Sequence, residues 1–262
     1  MGKIAFGVEY CGTNYHGWQR QKNNPTIQEH IENALSIVAN HPIKVHCAGR
    51  TDSGVHAVQQ VIHAETDVER EDYSWIFGAN ANLPRDICLI WAKKVIDDFH
   101  ARYSATARTY LYLILNRVSR SGILFKKATC EYRLLDVELM RMASKDLLGE
   151  HDFTSYRAIA CQARCPVREI RRIDIKAFKN IVRIEIEANA FLHHMVRNIV
   201  GVLIAIGSGT QQVTWAKQVL DARDRTLGGI TAPPEGLYLL KVDYPERFGI
   251  PGPDMSVIQY MS

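Results

Sequence analysis

No apolar run in this chain approaches the ~18 residues that a membrane-spanning helix requires. The N-terminus enters a strand-like alternation at once (Ile4, Phe6, Val8, Tyr10), with no signal-peptide region ahead of it. Met1-Gly2 opens like a myristoylation signal, but Phe6 stands where Ser or Thr is needed. These absences lead to the expectation of a cytoplasmic protein with no membrane partner. Cysteines are sparse: six, at positions 11, 47, 88, 130, 161 and 165. Cys161 and Cys165 are four apart, there is no Cys-x-x-Cys pair, and no second pair could complete a tetrahedral site. In a reducing compartment such thiols act mostly as small core residues. His193 and His194 are adjacent, so on a helix they point about 100° apart and cannot share one ion as an i, i+4 pair could. No metal site is expected. The chain also lacks a Gly-x-x-x-x-Gly-Lys phosphate loop and a dinucleotide fingerprint after a strand. The expected chemistry therefore uses no ATP, nicotinamide or other cofactor.

With 262 residues, 47% of them hydrophobic and 23% charged, the chain has the balance of a globular protein with a full core. That length suits one large domain or two of ordinary size. The net charge of +4 is modest but unevenly spread. From Phe99 through Cys130 there is no Asp or Glu, while Arg102, Arg108, Arg117, Arg120, Lys126 and Lys127 all occur. From Arg157 through Arg172, Arg157, Arg164, Arg168, Arg171 and Arg172 face only Glu169. Tyr103, Tyr110, Tyr112 and Tyr156 lie within or beside these stretches. Cations interleaved with rings suit an RNA with unpaired bases, because the cations meet phosphates and the rings stack on bases. An ordinary solvated surface with some cation–π pairs is the other reading of the same pattern. The candidate RNA contacts are Arg102, Arg108, Arg164 and Arg168.

Periodicity gives the same order of elements twice. The first half offers a strand (3–10), a helix (26–39), strands (43–48 and 57–65), a helix (72–80) and a strand (88–95). The first helix opens on Thr26-Ile27-Gln28-Glu29, a capping-box pattern, and carries the stripe Ile27, Ile31, Ala34, Leu35, Val38. The second half offers a strand (109–116), a helix (136–148), strands (170–177 and 181–188), a helix (192–206) and a strand (237–243), with an extra helix at 212–222. Residues 182, 184, 186 and 188 are apolar and alternate with Arg183, Glu185 and Glu187. Each half spells β-α-β-β-α-β, the split ferredoxin-like unit. The expectation is an α+β chain of two similar ferredoxin/RRM-like halves with antiparallel sheets, residues 1–104 and 105–262. The tail from Pro245 is expected to lie extended on the surface.

The most informative stretch is Cys47-Ala48-Gly49-Arg50-Thr51-Asp52-Ser53-Gly54-Val55-His56-Ala57. A lone carboxylate, Asp52, lies between glycines that permit a sharp bend, with Arg50 close enough to keep it ionised. A polar turn in which Asp52 caps its own backbone is the other reading of these residues. As a string, Gly49-Arg50-Thr51-Asp52-x-Gly54-Val55-His56 resembles the catalytic loop of the tRNA pseudouridine synthase A family. Further matches follow in the family's order. They are Glu9-Tyr10-x-Gly12-x-x-Tyr15-x-Gly17-Trp18-Gln19, Asp98-Phe99-His100-Ala101-Arg102, and Ser104-Ala105-Thr106-Ala107-Arg108-x-Tyr110-x-Tyr112. Then come Asp152-Phe153-Thr154-Ser155, Asn189-Ala190-Phe191-x-His193-His194-Met195-Val196-Arg197-Asn198 and Glu235-Gly236-Leu237-Tyr238-Leu239. Ser53 and Ala57 stand where some members carry Ala and Gly, and neither replaces a group that does chemistry.

The resemblance implies an isomerase that converts uridine to pseudouridine in tRNA, on the 3′ side of the anticodon arm at tRNA positions 38, 39 and 40. It also implies a homodimer and two α+β domains around a basic central cleft. The reaction cuts the N1–C1′ bond of uridine, rotates the base and rejoins it through C5. An anionic carboxylate can stabilise or trap the electron-poor sugar, as in glycosidases. The resemblance gives that role to Asp52 and pairs it with Arg197, and it sets Arg50 to hold the target nucleotide out of the stack. It places Tyr110 against the target base, with its hydroxyl near C5, and Leu237 in the lining of the base pocket. From the residues alone Arg197 also reads as a snorkelling arginine beside the apolar stripe of its helix. Tyr110 and Leu237 likewise read as core residues. Tyr112 is expected to be structural, and His56 and His63 to be satisfied polar groups. A non-catalytic RRM-like RNA binder is the rival, but it has no need of Asp52 in an arginine-lined loop, and the usual stacking string is missing. A nucleoside hydrolase would need a second carboxylate or a metal to activate water.

Overall fold

The computed structural model describes residues 2–254 and 256. In chain order its elements are β1 (Gly2–Tyr10), α1 (Ile27–Ala39), β2 (His46–Cys47), β3 (His56–Thr66), α2 (Asp72–Asn80) and β4 (Ile87–Val95). They continue as β5 (Ala107–Asn116), β6 (Thr129–Glu131), α3 (Val137–Ser144), β7 (Gly149–Asp152), β8 (Val167–Phe178) and β9 (Ile181–Ala188). The last are α4 (Met195–Gly207), α5 (Trp215–Ala222) and β10 (Leu237–Asp243). No helix among the described residues is long and apolar enough to cross a membrane. The chain forms a mixed α/β structure with mostly antiparallel pairing and divides into two compact units. One runs to Thr106 and resumes at Tyr238; the other is Ala107–Leu237.

In the first unit β1 lies between β3 and β4, antiparallel to both. Its apolar face, Ile4, Phe6, Val8 and Tyr10, is at most 3% exposed. Phe6 meets Trp75 of α2 edge-on at 5.8 Å. α1 keeps most of the expected stripe, with Ile27, Ile31, Ala34 and Leu35 buried and Val38 half-buried, and stops at Asn40 in a left-handed conformation. The expected capping box does not form. The Thr26 side chain makes no cap bond, and Glu29 pairs with Arg20 at 3.3 Å. The N–H groups of Ile27 and Gln28 donate instead to the carbonyls of Gly17 and Trp18. A neighbouring backbone segment thus satisfies part of the exposed helix end.

The other edge of β3 is shared. β2 pairs with its far end (His46 with His63), and β10 runs parallel to its start (Tyr238 with His56, Leu239 with Ala57). The strand at 237–243, expected to complete residues 105–262, therefore clusters from Tyr238 onward with the first unit. β2 is also shorter than the expected 43–48. The tail from Pro245 includes a 3-10 turn, Glu246–Phe248, and buries Phe248 at 4% exposure. Its remaining stretch, residues 255 and 257–262, lies outside the described residues.

The second unit is an antiparallel sheet in the order β5-β9-β8-β7, with β6 parallel to β5. β9 buries the expected residues Val182, Ile184, Ile186 and Ala188. Three features depart from the expectation. β6 and β7 are additional strands. α3 ends at Ser144, and a 3-10 turn carries the chain through Leu147. α4 starts at Met195, because His194 has φ 62° and interrupts the expected run from 192. The observed order in this unit is therefore not a simple β-α-β-β-α-β.

The rings of His46, His63 and His100 cluster in the first unit, with centroids 4.6 to 5.4 Å apart. His63 is 2% exposed, and its Nδ1 accepts from the Ala101 N–H at 3.1 Å. Burial first, then the charges of His100, His46 and Lys3, lowers its pKa to about 3. Unfolded histidine titrates near ~6.5. The unfolded chain therefore takes up this proton first, and stability is lost as pH falls from ~6.5 towards 3. Thermal unfolding followed across that window should show a falling melting temperature. His63→Asn, which keeps an acceptor but cannot titrate, should flatten that limb; an unchanged slope would assign the acid sensitivity elsewhere.

Candidate active-site elements

In the first unit the loop from Gly49 to Val55 is braced on both sides, by backbone on one and by a side chain on the other. Trp18 N–H donates to the Thr51 carbonyl at 3.0 Å, and Gly54 N–H to that of Tyr15 at 3.3 Å. The Ser53 hydroxyl reaches the same Tyr15 carbonyl at 3.2 Å, and the Tyr10 and Thr51 hydroxyls bond at 2.8 Å. Two glycines make this approach possible. A Cβ on Gly12 would lie 1.9 Å from the Val55 carbonyl oxygen; one on Gly17, at φ +86°, would lie 2.7 Å from that of Thr51. On the other side, the buried Gln60 side chain donates to the Gly49 carbonyl at 2.5 Å and accepts from its N–H at 3.3 Å. Asp52 is half-buried within this frame, and Arg50 is exposed. The backbone that carries Asp52 is thus held in place, while the residue itself stays partly exposed.

His56, expected to be a satisfied polar group, is satisfied at one nitrogen only: Nδ1 accepts from the Gly12 N–H at 3.1 Å and the ring stacks on Tyr238 at 4.6 Å, while the buried Nε2 has no hydrogen-bond partner among the described residues. It ties the loop's far end to the 10–18 segment and to β10. The roles of Gln60 and Thr51 escaped the sequence reading, because their partners lie 11 and 41 residues away and follow no periodicity.

In the second unit Tyr110 sits on β5, opposite Ile186 of β9, at 8% exposure, with its ring edge-on to Phe191 at 5.0 Å. Tyr112 is structural as expected. Its hydroxyl bonds Thr129 Oγ1 at 2.6 Å and donates to the Pro233 carbonyl at 2.7 Å, while burial pushes the phenol well above its ordinary pKa. Arg197, in the first turns of α4, is half-buried, and its Nε donates to the Ala232 carbonyl at 2.8 Å. Leu237 is 5% exposed.

The four candidate RNA-binding arginines divide. Arg102, over the ring of Tyr103 in the first unit, and Arg164 in the second are exposed. Arg108 is buried and donates to the Asn189 carbonyl at 3.0 Å. Arg168 turns back on its own segment, donating to the carbonyls of Cys165 at 3.1 Å and Val167 at 2.5 Å. Exposure favours the first two for meeting phosphates.

The model of the family described as tRNA pseudouridine synthase matches residues 7–104 and 143–245. The chain belongs to that family. Its members isomerise uridine to pseudouridine in tRNA. Among named relatives, the tRNA pseudouridine synthase A of Coxiella burnetii (strain Dugway 5J108-111) is 54% identical over 251 residues, 96% of each chain. That of Vibrio atlanticus (strain LGP32) is 53% identical over 249 residues, 95% of this chain and 94% of its own. The Enterobacter sp. (strain 638) protein of the same name is 53% identical over 253 residues, 97% of this chain and 94% of its own. Among solved structures, the archaeal box H/ACA Nop10–Cbf5 complex aligns with TM-score 0.35 and 10% identity, over 77% of this chain and 43% of that one.

Cys11, between Tyr10 and Gly12 in the bracing segment, is half-buried. The His56 imidazole beside it, and to a lesser degree Thr13, outweigh burial and bring the thiol pKa down to about 7. Burial pushes Cys47 up to about 12. Iodoacetamide alkylation followed by mass spectrometry should find Cys11 reacting well before Cys47, with a half-maximal rate near pH 7. His56→Gln should slow Cys11 at neutral pH, and an unaltered rate would remove the imidazole as the cause.

Proposed function

We propose that this chain converts the uridines at positions 38, 39 and 40, on the 3′ side of the tRNA anticodon arm, to pseudouridine, with Asp52 as nucleophile. The reading draws its substrate positions and homodimeric state from the family resemblance, and its cytoplasmic location from the amino-acid sequence. The observation that carries it is the Asp52 loop, a carboxylate held on a backbone fixed by the Tyr10, Tyr15 and Trp18 contacts. A positioned anion is what the cleavage of the N1–C1′ bond calls for, because charge develops on the sugar as the base departs.

The steps balance without an outside reagent. The N1–C1′ bond breaks, the uracil turns within the site, and a C1′–C5 bond forms. A proton then leaves C5 and one is returned to N1. Asp52 acts on the electron-poor centre and is released unchanged. Arg197 is the counter-charge for this carboxylate in the family string, and a fixed guanidinium suits that purpose because it is planar and permanently ionised. Arg50 is exposed beside Asp52, suited to hold a nucleotide turned out of its stack. Tyr110 offers a ring for the base and a hydroxyl for the C5 proton, and Leu237 an apolar wall. Arg102 and Arg164 are the phosphate contacts of this reading. The two domains of this reading are the two compact units, one running to Thr106 and resuming at Tyr238, the other Ala107–Leu237.

Substituting Asp52 separates this function from plain RNA binding. Asp52→Ala should abolish pseudouridine formation on unmodified tRNA while leaving tRNA affinity within a few-fold, since the carboxylate breaks bonds and does not hold the RNA. Turnover above a trace in the variant would show that another group is the nucleophile.

A further inference from the structure

We infer that Arg225 is a positioning residue for the reaction, holding Arg197 in place through the segment from Gly229 to Ala232; the inference rests on the role proposed for Arg197. That segment lies against α4 without belonging to any helix or strand. Its bulkiest apolar residue, Ile230, is 90% exposed, so burial of that side chain does not fix it. The approach is nevertheless close. A Cβ on Gly201, one turn beyond Arg197, would fall 1.9 Å from the Ile230 carbonyl oxygen.

Polar contacts centred on Arg225 hold the segment down. Its Nη2 donates to Gly229 O at 3.2 Å, to Thr231 Oγ1 at 3.0 Å and to Asn198 Oδ1 at 3.1 Å. The Thr231 hydroxyl donates to the same Asn198 oxygen at 2.7 Å. Asn198 is 2% exposed, and its Nδ2 donates to the Tyr156 carbonyl at 2.7 Å, so the acceptor is itself anchored. One guanidinium thus ties two points of an irregular segment to the α4 residue next to Arg197. The neighbouring residue of that segment closes a reciprocal pair with Arg197. Ala232 N–H donates to the Arg197 carbonyl at 3.1 Å, and Arg197 Nε donates to the Ala232 carbonyl at 2.8 Å.

The second of these bonds sets the geometry of the Arg197 side chain. A guanidinium is rigid and planar, so a fixed Nε partner also fixes the plane of its two terminal nitrogens. If the Ala232 carbonyl moves, the plane tilts. A displacement of about 1 Å in a positioning group can cost about 100-fold in rate without touching the substrate. Arg225 therefore acts on the chemistry through Arg197, and its loss should appear in kcat and not in tRNA binding.

The test measures kcat and KM on unmodified tRNA, with thermal unfolding, for Arg225→Ala, Arg225→Lys, Thr231→Val, Arg197→Ala and the Arg197→Ala/Arg225→Ala double variant. Arg225→Ala should lower kcat by about 10- to 100-fold with KM within about threefold. Arg225→Lys should recover part of the loss, and Thr231→Val should fall less far in the same direction. The double variant should be no slower than Arg197→Ala, because both changes disable one device. If Arg225→Ala does not fold, the Thr231→Val result decides. A raised KM with unchanged kcat would make Arg225 a phosphate contact and overturn the inference, as would losses that multiply in the double variant. Wild-type kcat in Arg197→Ala would remove the role given to Arg197 itself. A large loss in that variant with none in Arg225→Ala and Thr231→Val would sink the positioning role alone.

Discussion

Two stretches of backbone, residues 10–18 and 51–56, approach each other more closely than side chains would permit, and the candidate catalytic loop depends on that approach. A Cβ at Gly12 or Gly17 would fall within 2.7 Å of the carbonyl oxygens of Val55 or Thr51. With both positions bare, Trp18 can donate to Thr51, Gly12 to His56 and Gly54 back to Tyr15. The carbonyls of Gly17 and Trp18 receive the first N–H groups of α1. The helix, the bracing segment and the Asp52 loop thus form one hydrogen-bonded train anchored on the buried stripe Ile27, Ile31, Leu35. In the proposed reaction this rigidity serves the chemistry, because a nucleophile contributes most when its approach is settled before the substrate arrives.

The second unit solves a related problem differently. The irregular chain from Gly229 to Ala232 has few apolar anchors, so side-chain donors and acceptors hold it to α4. Such polar devices stay fixed only when their members are satisfied, and the shared oxygen of Asn198 meets that condition by accepting from both Arg225 and Thr231. Arg108 and Arg168 are likewise engaged by polar partners. Both were candidates for phosphate contact, yet their guanidinium groups are engaged by backbone carbonyls of their own unit. A run of arginines in a sequence therefore does not give the number available to RNA.

Elements that follow local periodicity were legible in the amino-acid sequence. Most of the α1 stripe and the alternation of β9 recur as read, because burial of one face is written into residue spacing. What failed involved distant or competing partners. The Thr26 box lost to the carbonyls of Gly17 and Trp18, and Glu29 was drawn to Arg20. β10 joins the first unit because its parallel pairing with β3 bridges some 180 residues, for which no local pattern exists. β6 and β7, three and four residues long, are too short to show a period. The candidate site is proposed from a set of family strings. Its support was not legible in them: Gln60 on Gly49 and Ala232 on Arg197 are contacts that only the folded chain brings together.

Base-resolved mapping of pseudouridine in unmodified tRNA incubated with the purified protein tests the central claim most directly. New pseudouridine confined to the 3′ side of the anticodon arm, at positions 38 to 40, formed without added cofactor, is the result this account predicts. Tight tRNA binding with no pseudouridine, or modification only elsewhere in the tRNA, would contradict it.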